Sequence, residues 1–535
     1  MDAGENGKRF YLTTPIYYVN ALPHLGTAYT TVIADIIARF KRMQGYDALL
    51  VTGSDENSQK IVLAAEEAGK DPLKFCDEMA QHYHEAWRML DIGPYEYVRT
   101  TEERHRKLVQ FFFQRVRDAG YIYKGEYSGY YCTPCETFYT EKELLEGGLC
   151  PKCERATHEV SEEAYFFKLS AFQDYFEELL RPDRKFVIPD FRLNEMRARV
   201  EEGLGDVCIS RSSLQWGIPL PWDDSHVFYV WVDALLAYVT GSGFDFEHPE
   251  KPHYWPAQLN LMAKDIPWFH AIIFPALLRA YSETCEEDAR LKLDHVEQMM
   301  VHGYWLYGEG KMSKSRGTAI SPREVVELVR SDGLRYFFAR EVPLGLDGTI
   351  SLEAIVNRYN YDLGNDLGNL LNRLLTMTDR YFGGVVPETP VYRESDNDLR
   401  QTVAQHRDKA LEHMERYELS RALEEAFGIV RECNRFIDSR KPWVLGKNPD
   451  RAEEFTGAFC ALFDAVRTAA ILLAPVMPAA MQELWEQIGL QGRLEEVEIG
   501  DAAKAYPGGN RVGKAHPLFP RIELNEETTA RAAPA

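Results

Sequence analysis

The sequence predicts an α/β fold: a doubly wound, parallel-sheet domain interrupted by a cysteine-bearing insertion and followed by an α-helical bundle. Three observations predict it. Residues 9–55 read as a strand, helix, strand unit; the pattern breaks from about 125 to 160, where Gly, Cys and Pro accumulate; and beyond about 353 the periodicity is helical almost throughout.

The opening segment RFYLTTPIYY, residues 9–18, is rich in aromatics, Thr and Ile and reads as a buried strand. A turn with Asn20 and Pro23 follows, and then Tyr29, Val32, Ile33, Ile36, Ile37, Phe40 and Met43 recur at spacings of three and four up to Gly45. That spacing lays one apolar stripe along a helix, and a glycine just past its end is a common stop. DALLVTG, 47–53, is a second strand, so the two strands lie parallel with a right-handed crossover. VFYVWV at 227–232 reads as a further aromatic strand, and helices are predicted at 353–380, 397–416, 418–439 and 451–487. The expected division is residues 1–120 and 226–300 as halves of the parallel-sheet domain, 121–225 as the insertion, 301–352 as a lysine-loop region, 353–520 as the helical domain and 521–535 as a flexible tail.

At 535 residues the chain is long enough for about three or four domains. Its 45% hydrophobic and 27% charged residues are those of an ordinary globular protein rather than a disordered one. The first ten residues are polar, and no run of about 18 uncharged apolar residues occurs, so a cytoplasmic address and no membrane partner are expected. With 61 basic against 83 acidic residues, the net charge of −22 makes any nucleic-acid surface local. Arg192, Arg197 and Arg199, or Arg431, Arg435, Arg440 and Lys441, offer such stretches, and each also reads as a solvated helix face.

Among nine cysteines, Cys132, Cys135, Cys150 and Cys153 form CTPC and CPKC separated by fourteen residues. Four thiolates so spaced suit a closed, structural, tetrahedral zinc site, and a cytosolic setting disfavours disulfide or redox alternatives.

Two segments are suited to phosphate. His24, Leu25 and Gly26 stand at the start of the first helix, where unpaired N–H groups and the helix dipole attract an anion. Asp55, at the end of the second strand, falls on the same sheet edge and can take a cationic amine. In GEGKMSKSRG, 308–317, glycines flank Lys311 and Lys314, which can close on a polyphosphate.

PHLG at 23–26 and KMSKS at 311–315 resemble the two signatures of the class I aminoacyl-tRNA synthetases, in the expected order. FYLTTPIYYVN, TGSDE, YVWVDALLAY and AKDIPWFH resemble the methionyl branch, and the similarity runs from about residue 9 to about 520. The resemblance implies a Rossmann-like catalytic domain and an enzyme that attaches L-methionine to tRNA(Met) through methionyl adenylate, with Mg2+ accompanying ATP. It implies catalytic roles for His24, Thr27, Lys311 and Lys314, with Gly26, Ser313 and Ser315 also on ATP. Thr27 stands where the signature usually has a second His, and Asn57 and Ser58 replace His and Gly.

A thioether calls for polarizable aromatic walls and an ammonium calls for a carboxylate. By resemblance Ile16, Tyr18, Trp231, Ala234 and Leu235, the last in place of a Pro, line the methionine pocket. Tyr238, Phe269 and His270 complete it, and Asp55 holds the amino group. Asn369 and Arg373, four apart on one helix face, and Trp443, past a helix end, resemble the anticodon-reading positions. The zinc knuckle is likewise a feature of the family. Some members carry a further dimerising module; the chain stops soon after PLFPRIEL, and a monomer is expected. A regulatory paralogue and a synthetase for leucine or cysteine are the competing readings.

Overall fold

The computed structural model describes residues 8–307, 310–311, 321–388 and 391–524. At its centre are six strands, β1 (Arg9–Tyr18), β2 (Asp47–Asp55), β3 (Glu96–Arg99), β4 (Val187–Ile188), β5 (Leu259–Ala263) and β6 (Met299–His302), ordered β3-β2-β1-β5-β6-β4. Every pairing is parallel. A parallel sheet must be covered on both faces, and β1 shows how. Phe10 and Leu12 point into a core shared with the first helix and the C-terminal bundle, whereas Tyr11 points into the opposite core, shared with the insertion.

Helix α1 (Leu25–Met43) crosses from β1 to β2 with the apolar stripe buried: Val32, Ile33, Ile36, Ile37 and Phe40 are almost wholly inaccessible. Lys41 and Arg42 oppose the negative end of its dipole, and Gly45 turns the chain at φ 81°. α2 (Gln59–Glu67) follows β2.

The insertion is built on a long antiparallel pair, Ile122–Cys132 with His158–Phe167, extended by Thr137–Tyr139 on one side and Val207–Cys208 on the other. The expected strand at 227–232 is half right. Asp223–Phe228 is a strand, but Val230–Leu235 is helical; nearly complete burial makes VFYVWV apolar on every side and removes the periodicity that separates strand from helix.

Past residue 352 the chain is helical. The segment expected at 353–380 is continuous from Leu352 to Phe382 but contains a wider, π-type stretch at Tyr359–Gly368. Glu394–Glu415 and Leu419–Arg440 match expectation, whereas 451–487 is two helices, Ala452–Leu473 and Pro478–Gln487, parted by a turn with Pro475. Proline lacks the N–H and clashes with the preceding turn. Ala452–Leu473 is long and apolar enough to cross a membrane, yet 89% of its most apolar window is buried inside the bundle.

A buried ion pair joins α1 to the bundle. Arg335, on the helical segment Pro322–Arg340, approaches Asp35 at 2.7 Å with both side chains fully buried. It also donates to the carbonyls of Pro475 and Val476 in the bundle and to Leu90 and Asp91 beside the sheet.

Candidate active site

The strand order reverses between β1 and β5, and parallel sheets open a ligand crevice outside the carboxyl ends of the strands at such a point. A cavity of about 390 Å³ lies there. β1 supplies Pro15 to Tyr18, β2 supplies Asp55, the loop after β5 supplies Asp265 and Ile266, and His302 and Gly303 come from the end of β6. The register slips between Thr13 and Ile16, where Pro15 cannot donate to a ladder, and this bulge turns the end of β1 toward the crevice.

Ile16, Tyr18, Trp231, Ala234, Leu235, Tyr238 and His270 all line the cavity. Phe269 does not: it stacks flat on Trp231 with centroids 4.2 Å apart and backs that wall. Trp231 meets Tyr18 edge-on at 6.0 Å. Tyr238 OH donates to His270 Nε2 at 2.8 Å, because His270 Nδ1–H is given to the Ile266 carbonyl at 3.0 Å. Burial lowers the His270 pKa to about 4, so this wall is neutral.

Asp55 is 2% exposed, and its Oδ1 has no hydrogen-bond partner among the described residues, nor has the Tyr18 hydroxyl beside it. Burial, reinforced by the like charges of Asp233 and Glu136, pushes its pKa well above the usual carboxylate range. A buried acid lining a cavity, with a second acid close behind it, is a receptor for a cation. The Asn57 amide donates to Asp233 Oδ2 at 2.8 Å and to the Thr100 carbonyl, and Ser58 caps α2, so both unusual residues have structural work.

His24 caps α1. Its Nδ1 accepts from the N–H groups of Gly26 at 3.0 Å and Thr27 at 3.4 Å, which places the neutral ring's proton on Nε2. A side chain on Gly26 would meet the His24 ring at 2.8 Å, so the glycine is what lets the imidazole fold over the helix end. The Thr27 hydroxyl accepts from His24 N at 3.0 Å and donates to His24 O at 2.8 Å, closing a capping box. His24, Gly26 and Thr27 line the cavity.

The strand Trp305–Tyr307 leaves from the cavity wall at Trp305 and pairs with the backbone of Gly310 and Lys311. The Lys311 side chain, Ser313, Lys314 and Ser315 lie outside the described residues. Tyr304, Trp305, His302 and Asp265 line the cavity although the sequence reading missed them. HGYW at 302–305, immediately after a strand of the sheet, was the available signal.

The sulfurs of Cys132, Cys135, Cys150 and Cys153 all lie within 4.8 Å of one another. Cys132 and Cys153 are 3.5 Å apart, Cys135 and Cys150 3.8 Å. Disulfide sulfurs stand at about 2.05 Å; sulfurs bound at about 2.3 Å around a tetrahedral zinc lie about 3.8 Å apart. The four thiols therefore fit the ion, with no ligand position left for chemistry.

Residues 10–162 and 154–375 match the family model for class I tRNA synthetases of the M type, and 396–507 match the anticodon-binding domain of tRNA ligases. The chain belongs to the methionyl-tRNA synthetases. The methionine–tRNA ligase of Caldanaerobacter subterraneus is 42% identical over 97% of this chain and 80% of its own length. That of Thermotoga maritima is 39% identical over 97% and 81%. The Mycobacterium tuberculosis methionyl-tRNA synthetase in complex with methionyl-adenylate superposes with a TM-score of 0.90 at 34% identity, covering 96% of this chain and all of the other.

Asn369, within the residues matched to the synthetase model and ahead of those matched to anticodon binding, is exposed at the start of the helix Asn369–Phe382. Arg373, one turn on, pairs with Asp438 at 2.7 Å. Asp438 lies just before Pro442–Leu445, where Trp443 is 38% exposed. The structure thus links Arg373 to the segment leading into Trp443. The basic stretches are largely neutralised: Arg192, Arg197, Arg431, Arg435 and Arg440 each pair with a glutamate, and Arg199 lies 3.8 Å over Trp268.

Proposed function

We propose that this cavity joins L-methionine to tRNA(Met) in two steps. The methionine carboxylate attacks the α-phosphorus of ATP and the bond to pyrophosphate breaks, giving methionyl adenylate. The terminal ribose hydroxyl of tRNA then attacks the acyl carbon and AMP leaves. The observation that carries the reading is the Asp55 carboxylate, whose Oδ1 has no hydrogen-bond partner among the described residues, buried beside an aromatic wall in the crevice that the His24-capped helix end enters.

Asp55 receives the ammonium, while Ile16, Tyr18, Trp231, Ala234, Leu235, Tyr238 and His270 enclose the thioether side chain, with Phe269 behind Trp231. His24 Nε2–H and the positive end of the α1 dipole receive ATP phosphates; Gly26 gives them room and Thr27 acts by holding the cap. Lys311 and Lys314, with Ser313 and Ser315, close on the triphosphate and stabilise charge as pyrophosphate departs. Mg2+ accompanies ATP as part of the substrate. Cys132, Cys135, Cys150 and Cys153 hold one structural zinc, which when bound orders the tip of the insertion. Asn369, Arg373 and Trp443 read the anticodon. The domain division is 1–120 with 226–300, 121–225, 301–352 and 353–520, and the working form is a cytoplasmic monomer.

Exchange of labelled pyrophosphate into ATP tests this reading. It is expected to require methionine and to fall at least about tenfold in Lys314→Ala, while Trp443→Ala spares exchange and impairs charging. Exchange driven by another amino acid, or equal loss in both variants, would refute it.

A further inference from the structure

We propose that Glu136 is a positioning residue through which the four-cysteine site sets the shape of the methionine pocket. Glu136 directly follows the metal-ligand candidate Cys135, is 1% exposed and holds φ at 49°. A residue with a long side chain persists in the left-handed region where its surroundings over-determine it. Here they do, through both the main chain and the carboxylate.

The Glu136 carbonyl accepts the indole N–H of Trp231 at 2.9 Å and the hydroxyl of Tyr229. Its carboxylate accepts the main-chain N–H of Lys60 at 3.2 Å, in the first turn of α2, and the Tyr131 hydroxyl. The Lys60 ammonium in turn lies 3.9 Å from the centre of the Tyr18 ring. Tyr18 and Trp231, the two aromatic faces that meet edge-on in the cavity, are thus both tied to one residue. That residue's backbone conformation is set by the turn carrying Cys132 and Cys135. A shift of the turn would reach both walls together.

The inference rests on Trp231 being part of the methionine pocket. It predicts a selective effect on methionine. Glu136→Ala, which removes the two carboxylate anchors, is expected to raise the methionine KM about tenfold, with the ATP KM and kcat changed less than about threefold. Glu136→Gln, whose amide oxygen still accepts, is expected to restore most of the loss. Calorimetric methionine binding without ATP should follow the same order, at an unchanged ratio of zinc to protein. Trp231→Phe keeps the ring but not the N–H, and is expected to raise the methionine KM by itself while adding little in the Glu136→Ala background. It also serves should Glu136→Ala fail to fold, because an unchanged methionine KM in Trp231→Phe overturns the proposal. A methionine KM unmoved in Glu136→Ala overturns it too, as does a kcat loss without a KM change or an absence of rescue by Gln. If Trp231→Ala leaves methionine binding intact, the pocket assignment itself fails, which separates that outcome from failure of the relay.

Discussion

Asp55 shows what burial does to a substrate-binding carboxylate. Enclosed in protein and near Asp233 and Glu136, its pKa is raised, so the empty pocket favours a proton on the acid. A bound ammonium favours the charged form, so methionine binding is expected to expel a proton. The sign follows: binding tightens as pH rises through the raised pKa and weakens as pH falls below it. Calorimetry in two buffers of different ionisation enthalpy reads this directly, and heats independent of the buffer would contradict it. Asp55→Asn is expected to remove both the buffer dependence and most of the affinity. The candidate residue was legible because it ends an apolar strand, where a lone acid is conspicuous. Its neighbour Asp233 was not, since it lies 178 positions further along the chain inside a helix that looks like core.

Elements were legible in proportion to the contrast between their faces. α1 was readable from its three-and-four spacing because Thr30, Thr31, Asp35, Arg39 and Lys41 interrupt its apolar residues, so the residue types keep a period although the helix is almost wholly buried. Val230–Leu235 was not, since almost all of it is buried and the period vanishes. The cysteine pairs were readable for a different reason: metal ligands must converge whatever the backbone does, so spacing alone carries the signal. Outside the anchored turn at Cys132–Glu136, residues 141–157, which carry Cys150 and Cys153, are mostly exposed and have little apolar core to hold them in place. Chelation of the metal is therefore expected to open residues 141–157 to limited proteolysis, with protection regained on adding zinc. Identical cleavage of the loaded and chelated protein would show that the tip holds itself.

Across the whole molecule, the fully buried Asp35–Arg335 pair is one of several ion pairs that tie α1 to the helices following the sheet. Burial alone would raise the Asp35 carboxyl, but Arg335 and Arg39 outweigh it and hold its pKa below the ordinary value. Arg335→Met leaves that carboxylate buried with the Arg39 contact at 2.9 Å and the Gly93 N–H at 2.8 Å, and is expected to cost about 3–5 kcal/mol in urea-induced unfolding. Adding Asp35→Asn should recover part of it. A loss below about 1 kcal/mol would mean that water reaches the site and screens the charge.

The sequence by itself determined the chemistry at each local station: the anion-attracting helix start at His24, the acid at Asp55, the sulfur cluster, the helical character of the C-terminal third. These signals are short-range, because a turn, a stripe or a ligand spacing is complete within a few tens of residues. Tertiary structure alone decided which stations meet. Glu136 reaches Trp231 across 95 positions and Arg335 reaches Asp35 across 300, contacts that no periodicity announces because they are made by folding two separate segments against the same sheet.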